Sequence, residues 1–347
     1  RITIMDNLFC PYPYVNLYYR GRNHPKGHRV KVCCDAVEDI TANSLAEAIE
    51  QRHTHPYWQK LKDTFKNNQW PSACRKCKVQ EERQQESHRQ MAIKTYEETF
   101  GDFDTEELIY KKLGTTPQVL SLDVRPNNKC NLMCRMCTPV DSSLIAEHAG
   151  ESQTLVELYG ERDIADGLEP PEFTVPPKEL LKDVINIRML GGEPTLDENC
   201  LALLDRMIEL GKGPEVHISI TTNGTNARQS FLDRIKHFNT NLRFSIDGYG
   251  PFYEYVRTYG NWDKTEPQLF KCQDKIIKKE DEMLTKFLGK NIEELKNDMG
   301  QPSETHYSEN GNKVLVYKTT KYTVLCERKF EVNNENIVIK YSSNGCI

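Results

Sequence analysis

Three cysteines lie close together in the segment KCNLMCRMC, at Cys130, Cys134 and Cys137. Thiolates at such short spacings suit a shared metal better than a disulfide. A metal that only braces a fold usually takes four protein ligands, whereas a catalytic metal keeps one position open. The spacing therefore leaves two hypotheses: a fourth ligand comes from elsewhere in the chain, or the open position is reserved for a small molecule.

The first 90 residues hold a second, separate group of cysteines. It consists of Cys10, the adjacent pair Cys33 and Cys34, and the CxxC pair Cys74 and Cys77. One member of the adjacent pair and the other three give four thiolates, enough to saturate an iron–sulfur cluster or a zinc ion. The sequence thus predicts a closed metal site in addition to the three-cysteine site, with structural zinc as the alternative to an iron–sulfur cluster.

The composition is that of an ordinary globular chain. Its 347 residues are 37% hydrophobic and 28% charged, and the net charge is −5 with both signs mixed along the chain. That charge argues against a nucleic-acid partner, and no apolar run approaches the roughly 20 residues needed to span a bilayer. Twelve cysteines in short clusters, without an export signal, predict metal binding in a reducing compartment, the cytoplasm.

From about residue 116 the sequence alternates between strands and helices. Four strands are predicted, in QVLSLDVRP, NIRMLGGEP, EVHISITTNGT and NLRFSIDGYG. Helices are predicted between them, such as NCLALLDRMIELG, which Gly211 would end. This order predicts an α/β fold with a parallel sheet, open or closed as a shortened barrel of about four βα units. The insert at about 146–182 is expected to form one helix and a surface loop.

Changes in character along the chain predict three domains. Residues 1–90 form the cysteine-rich module, and residues 91–270 form the βα core. Residues 284–347 form a small α+β module, in which a helix capped by Asn291 precedes an antiparallel sheet of three strands.

The most informative segments of the core follow its predicted strands. The cysteine loop follows the first strand, GGEP (191–194) the second, TTNG (221–224) the third and SIDG (245–248) the fourth. Sites in parallel βα folds form at the carboxyl ends of the strands, so we expect these segments at one edge of one sheet. TTNG and SIDG taken alone are ordinary turn sequences, and it is their common placement that favours a site.

A CxxxCxxC loop after one strand, followed by GGEP after the next, resembles the radical S-adenosylmethionine (radical SAM) enzymes. The resemblance implies that the three cysteines ligate a [4Fe–4S] cluster whose fourth iron binds S-adenosylmethionine. Reductive cleavage of that molecule would give a 5′-deoxyadenosyl radical, which abstracts hydrogen from the substrate. The residues implied in binding S-adenosylmethionine are Gly191, Gly192, Glu193, Pro194, Thr222, Asn223, Ser245, Asp247 and Arg257.

Each part of this set has an implied contact. The GGEP turn would meet the amino group of S-adenosylmethionine, with a close backbone approach at its glycines and a negative charge at its glutamate. Thr222 and Asn223 would lie near the ribose or the methionine part. Ser245, Asp247 and Arg257 would approach the ligand carboxylate or the ribose.

The segments FCPYP, VCC, SLAEAI and CRKC in the first 90 residues resemble the SPASM/twitch auxiliary-cluster module, here placed before the core. Over about residues 8–269 the chain resembles phage-type, twitch domain-containing radical SAM proteins, through LDVRPNNKCNLMCRMCTPVDSSL, FSIDGYG and YVRTYGNWDK. The resemblance implies a second cluster with Cys33 preferred over Cys34, a peptide or protein substrate, an electron donor as partner, and the host cytoplasm for a phage-encoded chain. The C-terminal module resembles, in outline only, the small domain of SmpA/OmlA-like lipoproteins.

The chain also departs from the radical SAM pattern. Radical SAM cores continue with further βα units at the point where this chain has a charged helix and the α+β module. This difference supports a second hypothesis, a shortened or chimeric core that holds an iron–sulfur cluster or zinc without catalysis. The two hypotheses differ in one measurable product, because only an enzyme forms 5′-deoxyadenosine.

Overall fold

The chain divides into two compact units, Arg1–Leu269 and Phe270–Ile347. The computed structural model describes residues 8–21, 27–100, 119–169, 172–308, 310–321 and 324–344. None of the helices in these ranges is both long enough and apolar enough to cross a membrane.

The first unit is built on a seven-stranded sheet. The strands of this unit are β1 (Asn16–Arg20), β2 (His28–Lys31), β3 (Ile40–Ala42), β4 (Ser121–Arg125), β5 (Met133–Cys134), β6 (Asn186–Met189), β7 (His217–Thr222), β8 (Asn239–Phe244) and β9 (Arg257–Thr258). The sheet order is β3-β2-β1-β4-β6-β7-β8, while β5 and β9 form a separate ribbon.

Five neighbouring strands of this sheet, β1, β4, β6, β7 and β8, are parallel, and β2 and β3 extend it with antiparallel pairing. The predicted parallel sheet is therefore confirmed, with its four core strands in β4, β6, β7 and β8. Because β1 pairs directly with β4, the cysteine-rich segment and the core share one sheet.

Helices connect and flank these strands. They are α1 (Tyr12–Val15), α2 (Leu45–Glu50), α3 (Pro56–Lys66), α4 (Arg75–Glu82), α5 (His88–Phe100), α6 (Ser143–Gly150), α7 (Gln153–Tyr159), α8 (Glu161–Leu168), α9 (Lys178–Leu181), α10 (Glu198–Glu209), α11 (Gln229–Ile235) and α12 (Gly250–Val256). The expected stop of α10 is confirmed, since Gly211 follows it in the left-handed region at φ 72°.

The insert after the cysteine loop differs from the prediction of one helix and a surface loop. It contains three consecutive helices, α6, α7 and α8, followed by the short α9. Ser142 caps α6 by accepting a hydrogen bond from the amide of Ile145. Gly160, with φ 83°, separates α7 from α8 by a backbone bend that is easy only for glycine, so the chain folds back instead of forming an open loop.

The two faces of the parallel strands have different chemistry. One face is mainly apolar and carries Leu17, Tyr19, Leu122, Val124, Ile187, Met189, Ile218, Ile220, Leu242 and Phe244, together with Thr222 and Thr240. The other carries Asn16, Tyr18, Arg20, Ser121, Asp123, Arg125, Asn186, Arg188, His217, Ser219, Thr221, Asn239, Asn241 and Arg243. Strands of a parallel sheet are usually apolar on both faces, so the polar face is an unusual feature of this sheet.

The second unit is a small α+β module. The long helix α13 (Trp262–Thr285) contains the boundary between the units, and α14 (Ile292–Met299) follows it, capped by Asn291 as predicted. Four antiparallel strands complete the unit, one more than predicted: β10 (Glu304–Tyr307), β11 (Lys313–Lys321), β12 (Val324–Val332) and β13 (Val338–Asn344). Its core packs Leu284 and Leu295 from the helices, and Phe287 from the turn between them, with Leu315 and Phe330 from the sheet.

Candidate functional site

The four segments expected to meet do lie at the carboxyl ends of four adjacent parallel strands. The cysteine loop follows β4, GGEP follows β6, TTNG follows β7 and SIDG follows β8. These strands are consecutive in the sheet, so the segments share one edge of it.

The cysteine loop is held by buried polar side chains. The amide of Asn128 donates to the carbonyl oxygens of Pro139 and Gly167, at 2.9 and 2.8 Å, which ties the loop to α8. Ser142 donates to the carbonyl of Leu132 at 2.7 Å, and the amide of Cys137 donates to the carbonyl of Cys134 at 3.0 Å. These hydrogen bonds fix the backbone of the loop that carries the three cysteines.

The GGEP turn packs directly onto this loop. Gly192 has φ 49°, and a Cβ atom there would lie 2.4 Å from the carbonyl oxygen of Lys129. The backbone amide of Glu193 donates to that same oxygen at 2.7 Å. Glycine is therefore required at position 192 for a close approach to the loop backbone, a reason that the sequence did not reveal.

The carboxylate of Glu193 points inward and is fully bonded. The residue is 0% exposed, and its Oε1 accepts from the amide and hydroxyl of Thr195 and the hydroxyl of Thr222. Its Oε2 accepts from the amide of Asn223 at 2.6 Å. Burial raises the pKa of Glu193, and these four donors act in the opposite direction. The carboxylate joins the ends of β6 and β7, and its expected contact with S-adenosylmethionine stays a prediction.

The end of β7 connects this carboxylate to the cysteine loop. Asn223 is buried, and its side-chain amide donates to Asn131 Oδ1 at 2.9 Å and lies 3.9 Å from the sulfur of Cys130. Its own Oδ1 accepts from the amide and the hydroxyl of Thr225. One asparagine thus contacts both the carboxylate behind the site and the first cysteine of the loop.

The end of β8 reaches the second cysteine through an arginine. The amide of Ser245 donates to the carbonyl of Thr222, and two residues later the exposed Asp247 pairs with Arg257 at 2.5 Å. Arg257 is buried, and its Nη1 donates to the sulfur of Cys134 at 3.2 Å. Pro194, which follows Glu193 in the chain, is buried.

The three thiols of the loop differ in acidity. The thiol of Cys137 donates to the sulfur of Cys134, and this bond, together with Arg257, lowers the pKa of Cys134 to about 7. The same bond raises the pKa of Cys137, while burial raises the pKa of Cys130 to about 11. Metal binding requires all three thiols to lose their protons.

Four N-terminal cysteines line one cavity. Its walls include Cys10, Cys33, Cys74 and Cys77, together with aromatic and charged side chains. Burial raises the pKa of all four thiols. Backbone amides act in the opposite direction by bonding to the sulfurs of Cys10, Cys33 and Cys77. Such N–H···S bonds favour thiolates, the form that binds metal.

Cys34 has a different environment from its neighbour. It is not among the residues that line the cavity, and its sulfur lies 3.7 Å from Nδ1 of His88. The hydroxyl of Tyr12 lies 2.9 Å from Nε2 of the same imidazole, and burial lowers the pKa of His88 to about 4. The cavity therefore groups Cys33 and not Cys34 with the other three cysteines.

Within the described residues, no three His, Cys, Asp or Glu side chains are arranged around a common point that would hold a metal ion. The metal assignments made from the sequence accordingly stay predictions.

Three residues that build the site are not among those predicted from the sequence. Asn128, Thr195 and Ser142 order the loop or the Glu193 carboxylate through their side chains. Asn128 immediately precedes the KCNLMCRMC segment and Thr195 follows GGEP. Their closeness to these motifs is the sequence feature that could have indicated a role in the site. Their partners, however, are set by tertiary packing.

The part of the chain that contains this site matches a known protein family. The sequence model of the Radical SAM superfamily matches residues 124–300, just over half of the chain. None of the curated proteins matches.

Among solved structures, those of SuiB from Streptococcus suis are similar to the chain. The structure of SuiB bound to precursor peptide SuiA has a TM-score of 0.31 and 14% identity, and covers 75% of this chain and 53% of SuiB. SuiB bound to S-adenosylmethionine gives a TM-score of 0.29 at 14% identity, with 74% and 53% covered. A further SuiB structure gives 0.28 at 15% identity, with 74% and 52% covered. The chain thus spans about half the length of these proteins.

Proposed function

Because the chain belongs to the radical SAM superfamily, we propose that it is an enzyme that cleaves S-adenosylmethionine at a [4Fe–4S] cluster and modifies a peptide or protein. Cys130, Cys134 and Cys137 are the proposed cluster ligands. The observation that carries the proposal is the packing of the GGEP turn onto the cysteine loop at the ends of neighbouring parallel strands, where the amide of Glu193 donates to Lys129.

The number and chemistry of the thiols in the loop suit a cluster with one open iron. Three thiols can ligate three irons of a [4Fe–4S] cluster, which leaves the fourth for the amino and carboxylate groups of S-adenosylmethionine. Cys130 and Cys137 are partly exposed and Cys134 is buried. When bound, the reduced cluster and S-adenosylmethionine together supply a 5′-deoxyadenosyl radical that takes hydrogen from the substrate.

Buried polar atoms in the first unit support a polar ligand. Among the described residues, Nε of Arg257, Oδ1 of Asp123 and Oγ of Ser219 are buried without a hydrogen-bond partner. Asp123 and Ser219 both lie on the polar face of the sheet, on either side of Arg188 in register. Buried polar atoms normally find a partner, and a ligand with both donors and acceptors would supply one.

The chain's own residues have separate tasks in this proposal. Gly191, Gly192 and Pro194 bring backbone to the amino group of S-adenosylmethionine. The Glu193 carboxylate already accepts four hydrogen bonds, so its task is to hold the strand ends in register. The GGEP contact is therefore assigned to the backbone of the turn.

The remaining assignments follow the ends of β7 and β8. Thr222 and Asn223 lie on the side of the ribose or methionine part of the ligand. Ser245, Asp247 and Arg257 approach its carboxylate or ribose.

We extend the proposal to an auxiliary [4Fe–4S] cluster held by Cys10, Cys33, Cys74 and Cys77. The cavity that these four residues line supports this assignment, and it favours Cys33 over Cys34. Structural zinc is the alternative for the same ligands.

The peptide or protein substrate rests on the resemblance of the N-terminal segment to the SPASM/twitch module. An electron donor is implied, because reductive cleavage consumes one electron in each turnover. We place both partners in the cytoplasm, where clustered thiols stay reduced.

The test is anaerobic reconstitution with iron and sulfide, followed by metal analysis and a 5′-deoxyadenosine assay with S-adenosylmethionine and dithionite. About eight irons per chain would indicate two clusters, and about four irons with one zinc would indicate structural zinc in the N-terminal cavity. A chain that loads iron but forms no 5′-deoxyadenosine would refute the enzyme and favour the non-catalytic hypothesis.

Matched cysteine variants assign the product to the loop. Cys134→Ala should abolish 5′-deoxyadenosine formation. Cys200→Ala should retain it, because Cys200 is a buried residue of α10 that bonds to Asp197. Product at the wild-type level from the Cys134 variant would contradict the ligand assignment.

A further inference from the structure

Cys134 and Arg257 are paired by the backbone as well as by their side chains. Strand β5 runs antiparallel to β9, and Cys134 lies directly opposite Arg257 in the ribbon. The amide of Arg135 donates to the carbonyl of Val256 at 3.0 Å next to this pair. Residues directly opposite in an antiparallel pair have close Cβ atoms, so the ribbon places the arginine beside the cysteine independently of rotamer choice.

The guanidinium of Arg257 is buried and divided between two partners. Its side chain is 8% exposed. Nη1 donates to the sulfur of Cys134 at 3.2 Å, and Nη2 to Oδ2 of Asp247 at 2.5 Å. A buried arginine needs such fixed partners, because removing its charge from water is unfavourable unless the charge is paired. Asp247 therefore orients the forked guanidinium group of Arg257 toward the sulfur of Cys134.

The other two cysteines of the loop have different neighbours. The sulfur of Cys130 accepts a hydrogen bond from the neutral side-chain amide of Asn223 at 3.9 Å. The thiol of Cys137 bonds to Cys134. The loop is thus asymmetric in charge, with its cationic donor on the second cysteine.

We propose that Arg257 is a positioning residue that holds the Cys134 sulfur and shifts the cluster toward its reduced state. This inference rests on the proposed function, and it adds a contact with sulfur to the ligand contact implied by the sequence. Hydrogen bonds to the ligand sulfurs are one of the factors that set the potential of an iron–sulfur cluster. A charge-assisted N–H···S bond stabilises the extra negative charge of the reduced cluster, so its loss should make reduction harder.

The test compares Arg257→Met, Arg257→Lys and the control Arg135→Met in the reconstituted full chain. Arg135 adjoins Cys134 in the sequence, but it is exposed and stacks on Tyr255 at 4.0 Å. The readouts are iron per chain and the fraction of reduced cluster, measured by electron paramagnetic resonance at a fixed solution potential. The signal of the loop cluster is identified as the one that S-adenosylmethionine changes.

We expect Arg257→Met to lower the ratio of reduced to oxidised loop cluster about tenfold, which corresponds to about 59 mV for a one-electron couple. Arg257→Lys keeps the charge but loses the fork, and we expect a ratio between those of the wild type and the Met variant. Arg135→Met should have the wild-type ratio.

Two outcomes would overturn the inference. One is an Arg257→Met chain that loads iron normally and keeps the wild-type ratio. If the Arg257→Met chain does not load iron, the Arg257→Lys chain is measured instead. A wild-type ratio of reduced to oxidised cluster in that chain would also overturn the inference. A wild-type chain without any signal that responds to S-adenosylmethionine would instead refute the proposed function, so the two failures are distinguishable.

Discussion

Replacing Thr222 with valine tests whether the Glu193 carboxylate holds the strand ends together. Thr222 is buried, donates to Oε1 of Glu193 at 2.7 Å and accepts from the amide of Gly224 at 3.1 Å. Valine has nearly the shape of threonine, so the substitution removes the hydroxyl without opening a cavity. The expected effect is a loss of stability in the metal-free chain.

The magnitude follows from the two bonds that are lost. A hydrogen bond to a charged group contributes about 1.5–3 kcal/mol, and a buried donor left without a partner costs about 1–3 kcal/mol. Glu193 keeps three of its four donors, which limits the loss. We therefore expect the free energy of unfolding to fall by about 2–4 kcal/mol.

The assay is guanidinium-induced unfolding of the reduced, metal-free chain, followed by tryptophan fluorescence. Trp58, Trp70 and Trp262 all belong to the first unit, so the signal reports on the unit that contains the mutation. Thr221→Val is the control, because Thr221 is half-buried on the opposite face of the same strand. A change within about 0.5 kcal/mol is expected for the control.

The pH dependence provides an independent check. Burial raises the pKa of Glu193 above 4.5, so the carboxylate becomes neutral at a higher pH than an exposed glutamate does. The penalty of Thr222→Val should shrink as the pH falls through this raised pKa, since the lost bond is then to an uncharged acid. Equal unfolding free energies for the Thr222 and Thr221 variants at neutral pH would refute the bracing role.

Three further outcomes are expected. Gly192→Ala should lower the midpoint of thermal unfolding more than Gly211→Ala. Both positions have positive φ, which costs an alanine about 1–2 kcal/mol. Only at Gly192, however, would the added Cβ lie 2.4 Å from the backbone of the cysteine loop. Cys33→Ser should remove one cluster or one zinc per chain in metal analysis while Cys34→Ser retains it, and equal losses would contradict the cavity assignment. The metal-free chain should lose stability as the pH falls from about 6.5 toward about 4, because burial keeps the His88 imidazole neutral in the folded state. In the His88→Gln variant, the free energy of unfolding should depend less on pH in this range. An unchanged slope in the variant would mean that other groups cause the loss of stability.

Much of the first unit could be predicted because its signals are local. A helix start needs only a capping side chain and its own first turn, as at Ser44, whose hydroxyl accepts from the amide of Glu47. The strand ends could be placed together because parallel strands with short crossovers have one carboxyl edge. The insert differs from its prediction because Gly160 forms a junction between two helices and does not belong to a loop.

The site required contacts between residues far apart in the sequence. Two of the four hydrogen bonds to the Glu193 carboxylate come from Thr222 and Asn223, which lie 29 and 30 residues further along the chain. A carboxylate in a turn motif can point to a ligand or into the core, and only packing decides between them.

The sequence by itself determined which residues could do chemistry and on which strand ends they lie, because residue type, spacing and the direction of parallel strands are properties of short segments. The tertiary structure decided what each side chain faces: Cys33 lines the N-terminal cavity while Cys34 contacts His88, and Arg257 reaches the sulfur of Cys134 from 123 residues away. These choices depend on register and burial across the whole sheet, where a one-residue shift moves a side chain to the other face.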